Sequence, residues 1–271
     1  MVTKATLKVP NLYSENSEIE VAAEATASLA DLPKLTQLPS LSSYLHPLMR
    51  SLENPQGSMA LKISGRWLGS RGFVLDLGHF QVPSFHFVYG RIPMCLQEAE
   101  IVYRTGFGYS LRGKFLLEDS HFFFTARSDP AFSNFIIHAE GDAQIPRVLS
   151  VLSIPSYLAV QSPGTKHAIV SLAKSSSRVV LQCLVDFDGV EIKATEMFGI
   201  TGKTGEELFF RFEKNLARSI LRGEAILFQK NGFLQADLQH DLDKDTVEAR
   251  FDTPKGLVED LDIYFGTKRY N

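Results

Sequence analysis

A few stretches of this 271-residue chain carry residue types that do chemistry in other settings. Gly202-Lys203-Thr204 has the ending of a phosphate-binding loop, in which backbone amides cradle a phosphate and the lysine reaches its oxygens. That loop needs a glycine five residues before Gly202, where Met197 stands, and it needs a helix after it. Gly199–Gly205 lies between two strand-like runs, so a hairpin loop is the simpler reading. Asp241, Asp243 and Asp245 mimic the first half of a calcium loop, but the sixth position is Thr246 rather than glycine and the twelfth is Asp252 rather than glutamate. A polar hairpin tip accounts for them. Gly106-Phe107-Gly108 reads as a β-turn, and no G-x-S-x-G nucleophile elbow occurs.

The seven histidines, His46, His79, His86, His121, His138, His167 and His240, are dispersed, and none pairs at metal-ligand spacing with another histidine or a cysteine. His86 and His121 sit beside phenylalanines in strand-like runs and are expected on the wet side. Cys95 and Cys183 are too few for a disulfide framework. They read as small buried hydrophobes, with a pairing between them left open. The expectation is therefore a protein without catalytic residues, metal or cofactor, and not an enzyme. The formal net charge of −3, with scattered basic residues, gives no footprint for nucleic acid.

The elements that would position any site are strands. Apolar and polar residues alternate with period 2 along much of the chain. Ile19, Val21, Ala23 and Ala25 oppose Glu18, Glu20 and Glu24. Leu75 and Leu77 oppose Asp76. Leu208, Phe210 and Phe212 oppose Glu207, Arg211 and Glu213. Turn signals separate the runs, among them Asp188-Gly189 and Asn231-Gly232, whose central positions favour positive φ in two-residue hairpins. Mostly antiparallel strands follow, each with one apolar and one wet face. No stretch approaches the roughly 18 apolar residues of a membrane-spanning helix.

One segment occurs twice. Leu32–Leu45 aligns without gaps on Ile145–Leu158, sharing Pro33/Pro146, Ser40/Ser153, Ser43/Ser156, Tyr44/Tyr157 and Leu45/Leu158. Both copies follow an Ala-Glu pair, and both precede a Pro/Gly turn and an alternating strand. Helical pattern is confined to these copies, with Asp31 as a cap and Pro33 in the first turn. The repeat divides the chain into two units: 1–140, with a helix near 31–52, and 141–271, with a helix near 145–158.

Many one-faced strands present more apolar surface than short helices can roof, since a helix of ~14 residues covers only about 20 Å. The sheet must close on itself as a sandwich or barrel, stack as a solenoid, or curl into a groove filled by something else. The aromatic runs Phe85-His86-Phe87 and Phe122-Phe123-Phe124 suit either a core or a groove lining.

Ala23–Leu45 and Ala139–Leu158, each followed by a turn and a strand, resemble the AsmA-like superfamily, which includes the TamB and YhdP proteins. The entry Ala139-Glu140-Gly141-Asp142-Ala143 into Ile145-Pro146-Arg147-Val148-Leu149 is similar to the strand, small-residue and helix junction of that family. The resemblance implies a mainly β fold of antiparallel hairpin repeats curled into an elongated groove, with short helices at the repeat boundaries. It implies a non-catalytic segment of a bacterial envelope bridge, in the periplasm, that carries phospholipid or another acyl lipid. Its parent would be anchored in the inner membrane outside this segment and would meet envelope membrane proteins. Such a segment is a piece of a longer protein. Acyl chains would bury at about 0.8 kcal/mol per CH₂. Leu75, Leu77, Phe85, Phe87, Phe122 and Phe124 are the expected lining. The competing reading is a structural or adhesive β-sandwich or solenoid with no lipid ligand.

Overall fold

The computed structural model describes residues 2–8, 19–31, 52–68, 72–89, 92–117, 119–146, 159–195, 198–217, 220–229, 232–241, 243, 246–252, 263–265 and 268–270. Most of these residues lie in strands, and the protein is mainly β. The helices expected near 31–52 and 145–158 fall almost wholly outside the described residues; a 3-10 turn at Leu29–Asp31 and helical conformation at Ile145 and Pro146 border them. The chain divides into two compact units, Met1–Glu118 with Phe123–Ser133, and Asp119–Phe122 with Asn134–Asn271.

In the first unit the strands are β1 (Val2–Lys8), β2 (Ile19–Ser28), β3 (Leu52–Trp67), β4 (Phe73–Tyr89), β5 (Ile92–Arg104) and β6 (Gly108–Leu117), followed by β7 (Ser120–Ser128), whose residues from Phe123 onward belong here. Each strand pairs with its neighbours in sequence order, so the sheet is a meander, and β1 does not return to close a barrel. The pairings from β1 through β6 are antiparallel. β3 and β4 are long, at 16 and 17 residues, and shift register three times. Bulges of this kind bend a strand and increase its twist. A small core forms where Leu29, Val82 and Ala99 are buried, with Met59, Phe85 and Leu96 packed around them.

The second unit holds β8 (Phe135–Ala143), β9 (Ala159–Gln161), β10 (Lys166–Lys174), β11 (Arg178–Asp186), β12 (Glu191–Thr195), β13 (Phe198–Thr201), β14 (Glu207–Asn215), β15 (Ile220–Gln229), β16 (Gly232–Asp241), β17 (Thr246–Asp252), β18 (Ile263–Phe265) and β19 (Lys268–Tyr270). Its large sheet runs β8-β10-β11-β14-β15-β16-β17, again antiparallel and open. A small sheet runs β19-β18-β13-β12-β9. Asp188-Gly189 forms a turn closed by Val190 N–H donating to the Phe187 carbonyl at 3.0 Å, with Gly189 at φ 67°. The expected hairpin does not follow, because this turn hands the chain from β11 of the large sheet to β12 of the small one.

The segment read as a loose hairpin loop at Gly199–Gly205 is instead interlocked with that turn. Gly189 N–H donates to the Gly202 carbonyl, and Gly202 N–H donates to the Val190 carbonyl. Gly202 is buried so tightly that a Cβ there would sit 1.8 Å from the Phe187 carbonyl oxygen.

Candidate functional site

Directly opposed residues of an antiparallel sheet share a face, so the register reads out which side chains form continuous rows. In the second unit one face is apolar from β8 to β16. Its outer row is Ile137–Leu172–Leu181–Phe212–Gly223–Leu238. The next row is Ala139–Val170–Cys183–Phe210–Ala225–Ala236. The third is Gly141–Ala168–Val185–Leu208–Leu227–Leu234.

Burial along this face is graded. The third row is covered by the small sheet: Val160, Ile192 and Ile200 pack with Leu208 and Leu234 around buried Phe187, Val190 and Leu227. In the outer row Phe212 is 40% exposed and Leu238 is 38% exposed, against 3% for Leu227. Between them lies Cys183, whose thiol burial pushes up to about 12. The other members of the outer row, Ile137, Leu172, Leu181 and Gly223, are half-buried. Phe212 leans over Gly223, where a Cβ would meet its ring at 3.3 Å, and stands edge-on to Phe210 at 5.8 Å.

The opposite face of this sheet is polar around an open cleft of about 580 Å³ and apolar along the row Ile169–Leu184–Phe209–Ile226, with Phe228 and Phe233 exposed at 41% and 40%. Arg211, Arg222 and Arg250 alternate in the cleft with Glu213, Glu224, Asp237 and Glu248. Arg211 and Glu213 are paired at 2.9 Å, and Gln235 Nε2 donates to Glu224 at 3.3 Å. Charges of both signs interleave, so this face offers no single-sign field.

The first unit repeats the two-faced pattern. Ala25–Leu61–Phe80–Ile101–Leu111 and Ala23–Ile63–Gly78–Tyr103–Tyr109 are apolar rows. On the wet face Glu24 pairs with Lys62, Lys114 pairs with Glu98, and Glu100 bridges His79 and Arg112. The hydrogen bond from His79 and the bond from Arg112 hold the Glu100 carboxyl below its ordinary value of 4.5.

The six residues expected to line a groove are not one surface. Leu75 pairs with Gly65 and lies beside Gly78 on the apolar face, whereas Leu77 pairs with Ser64 and borders a wet-face hollow with Lys4, Glu24 and Lys62. The register shift between Ser64 and Gly65 leaves Asp76 as an extra residue, which Arg66 holds at 2.9 Å, and this bulge moves Leu77 to the other side. Phe85 and Phe87 do come together, stacked at 4.8 Å. Phe85 also packs on the Leu29–Val82–Ala99 core, and Phe87 opposes buried Met94. Phe122 is buried, and Phe124 is half-buried with its ring against Gly113. The more open apolar row, through Phe212 and Leu238, coincides with the alternation of Leu208, Phe210 and Phe212 and contains none of the six expected residues.

No helix among the described residues is long and apolar enough to cross a membrane, and no group of three or more His, Cys, Asp or Glu side chains gathers as a metal site. Together these features define a class: a mainly β protein built on open antiparallel sheets that carry both apolar and charged rows. No family model, characterised protein or solved structure matches the chain.

Proposed function

We propose that the chain is a lipid-binding segment whose acyl-chain surface is the open part of the apolar face in the second unit. The observation that carries this reading is the row Leu181–Phe212–Gly223–Leu238 across adjacent strands, in which Phe212 and Leu238 stay exposed. An apolar strip of this kind is costly in water and marks a place where something apolar binds. Neighbouring strands stand about 4.8 Å apart, so the five intervals of a six-strand row span roughly 24 Å, enough for an acyl chain.

On this reading the sheets curl into an elongated groove, short helices stand at the repeat boundaries, and the chain serves a bacterial envelope bridge as in the AsmA-like superfamily. Its setting would be the periplasm, its cargo phospholipid, and its neighbours envelope membrane proteins. The mechanism is passive: acyl chains exchange water for Phe212, Leu238 and their row, and head groups remain at the rim. Organic extraction of the purified protein followed by mass spectrometry tests it. Stoichiometric phospholipid, or uptake of labelled phospholipid from vesicles, is the expected result. Absence of both lipid recovery and uptake would overturn the proposal and favour a structural β-protein, a reading supported by the way the small sheet already covers the Leu208–Leu227–Leu234 row.

A further inference from the structure

Strand pairing between β4 and β5 sets His86 directly opposite Cys95. Cys95 Sγ lies 3.7 Å from His86 Nε2, and Ser84 Oγ lies 2.9 Å from the same nitrogen and 3.8 Å from the sulfur. His86 falls between Phe85 and Phe87 in the strand, so the cluster is on the side away from their stacked rings. The histidine is exposed, while Cys95 is buried at 8% exposure, so the imidazole is the solvent-facing member of the pair. The lipid reading uses none of these three residues.

We propose that Cys95 is a site of covalent modification by hydrogen peroxide, with His86 as the base that takes the thiol proton. A thiol attacks only as its thiolate, and an imidazole within reach of sulfur is a general means of forming it. The Cys95 S–H lies within reach of both the Leu96 carbonyl at 3.8 Å and Nε2 at 3.7 Å, and when it turns to Nε2 the proton passes to the ring. The resulting imidazolium N–H donates to the thiolate or to Ser84 Oγ, which fixes the ring beside the sulfur. The thiolate attacks one peroxide oxygen: an S–O bond forms, the O–O bond breaks, and the departing hydroxide takes the proton back from the imidazolium. The products are a sulfenic acid at Cys95, neutral His86 and water, with sulfur oxidised and peroxide reduced.

Cys183 supplies the internal control, because burial pushes its thiol up to about 12. Native protein is exposed to hydrogen peroxide at neutral pH, sulfenic acid is trapped with dimedone, and both cysteine peptides are quantified by mass spectrometry. Cys95 should be trapped at least about tenfold faster than Cys183, and His86→Gln should slow Cys95 by about tenfold or more while leaving Cys183 unchanged. Equal trapping of the two cysteines, or a His86→Gln protein that reacts at the unsubstituted rate, overturns the proposal. Should His86→Gln fail to fold, the ratio of Cys95 to Cys183 in the unsubstituted protein decides the matter.

Discussion

Phe212→Ala separates a ligand surface from a core more sharply than any other single change. The ring is 40% exposed, and the remainder rests on Phe210 and Gly223. A phenylalanine buries roughly 150–250 Å² in full, so the exposed share corresponds to about 80 Å² still open to a ligand. At about 25 cal/mol per Å² that area is worth about 2 kcal/mol to a bound acyl chain, or about 30-fold in Kd. The assay is titration with a fluorescent fatty acid, run beside urea unfolding of the same sample. Leu227→Ala is the companion, since Leu227 is 3% exposed beneath the small sheet. It should cost about 2–5 kcal/mol of stability and leave the Kd of the folded protein unchanged. The reasoning fails if Phe212→Ala binds as tightly as the unsubstituted protein, or if binding falls only in step with the unfolded fraction.

Further outcomes follow from individual contacts. Gly202→Ala sets a methyl against the Phe187 carbonyl at a spacing no Cβ tolerates, so backbone must move; a loss of about 1–3 kcal/mol is expected in urea denaturation. Glu100→Gln should flatten the acid limb of the stability profile. The carboxyl is held below 4.5 when folded, so its bonds to His79 and Arg112 stabilise above the ordinary carboxylate range and are lost as pH falls through the lower folded value. Melting temperatures of the two proteins between neutral pH and pH 3 check this, and parallel profiles would contradict it. Asp76→Ala removes the partner of Arg66 at the bulge and should cost about 1 kcal/mol or less, since both side chains are partly exposed, as read from the urea midpoint.

Strand placement was legible because alternation is a property of the chain itself. Glu207, Arg211 and Glu213 announced the wet side of β14, and the structure sets them on one face. The antiparallel pairing followed from the same signal, whereas alternation alone left open whether the sheet closes on itself. What alternation could not carry was parity across a bulge. Asp76 looks like any other outward residue, and only its register against Ser64 and Gly65 reveals that Leu75 and Leu77 part company. The Asp188-Gly189 turn was legible as a turn, but a turn motif does not say whether the next strand rejoins the same sheet. The adjacency of His86 and Cys95 was within reach. A hairpin pairing Tyr89 with Ile92 brings His86 opposite Cys95 by counting back three residues on each strand. Treating the two residues separately, one as wet and one as core, concealed it.

The graded burial along β11, β14, β15 and β16 gives each of those strands an anchored end and a working end. Leu227 and Phe212 lie on one face only two rows apart, yet one is sealed beneath the small sheet and the other meets solvent. Amide hydrogen exchange should therefore be slowest at Leu208 and Leu227 and quicken toward Phe212 and Gly223. Variation can accumulate at the working end, retuning what the surface accepts, while the anchored end keeps the strands in register.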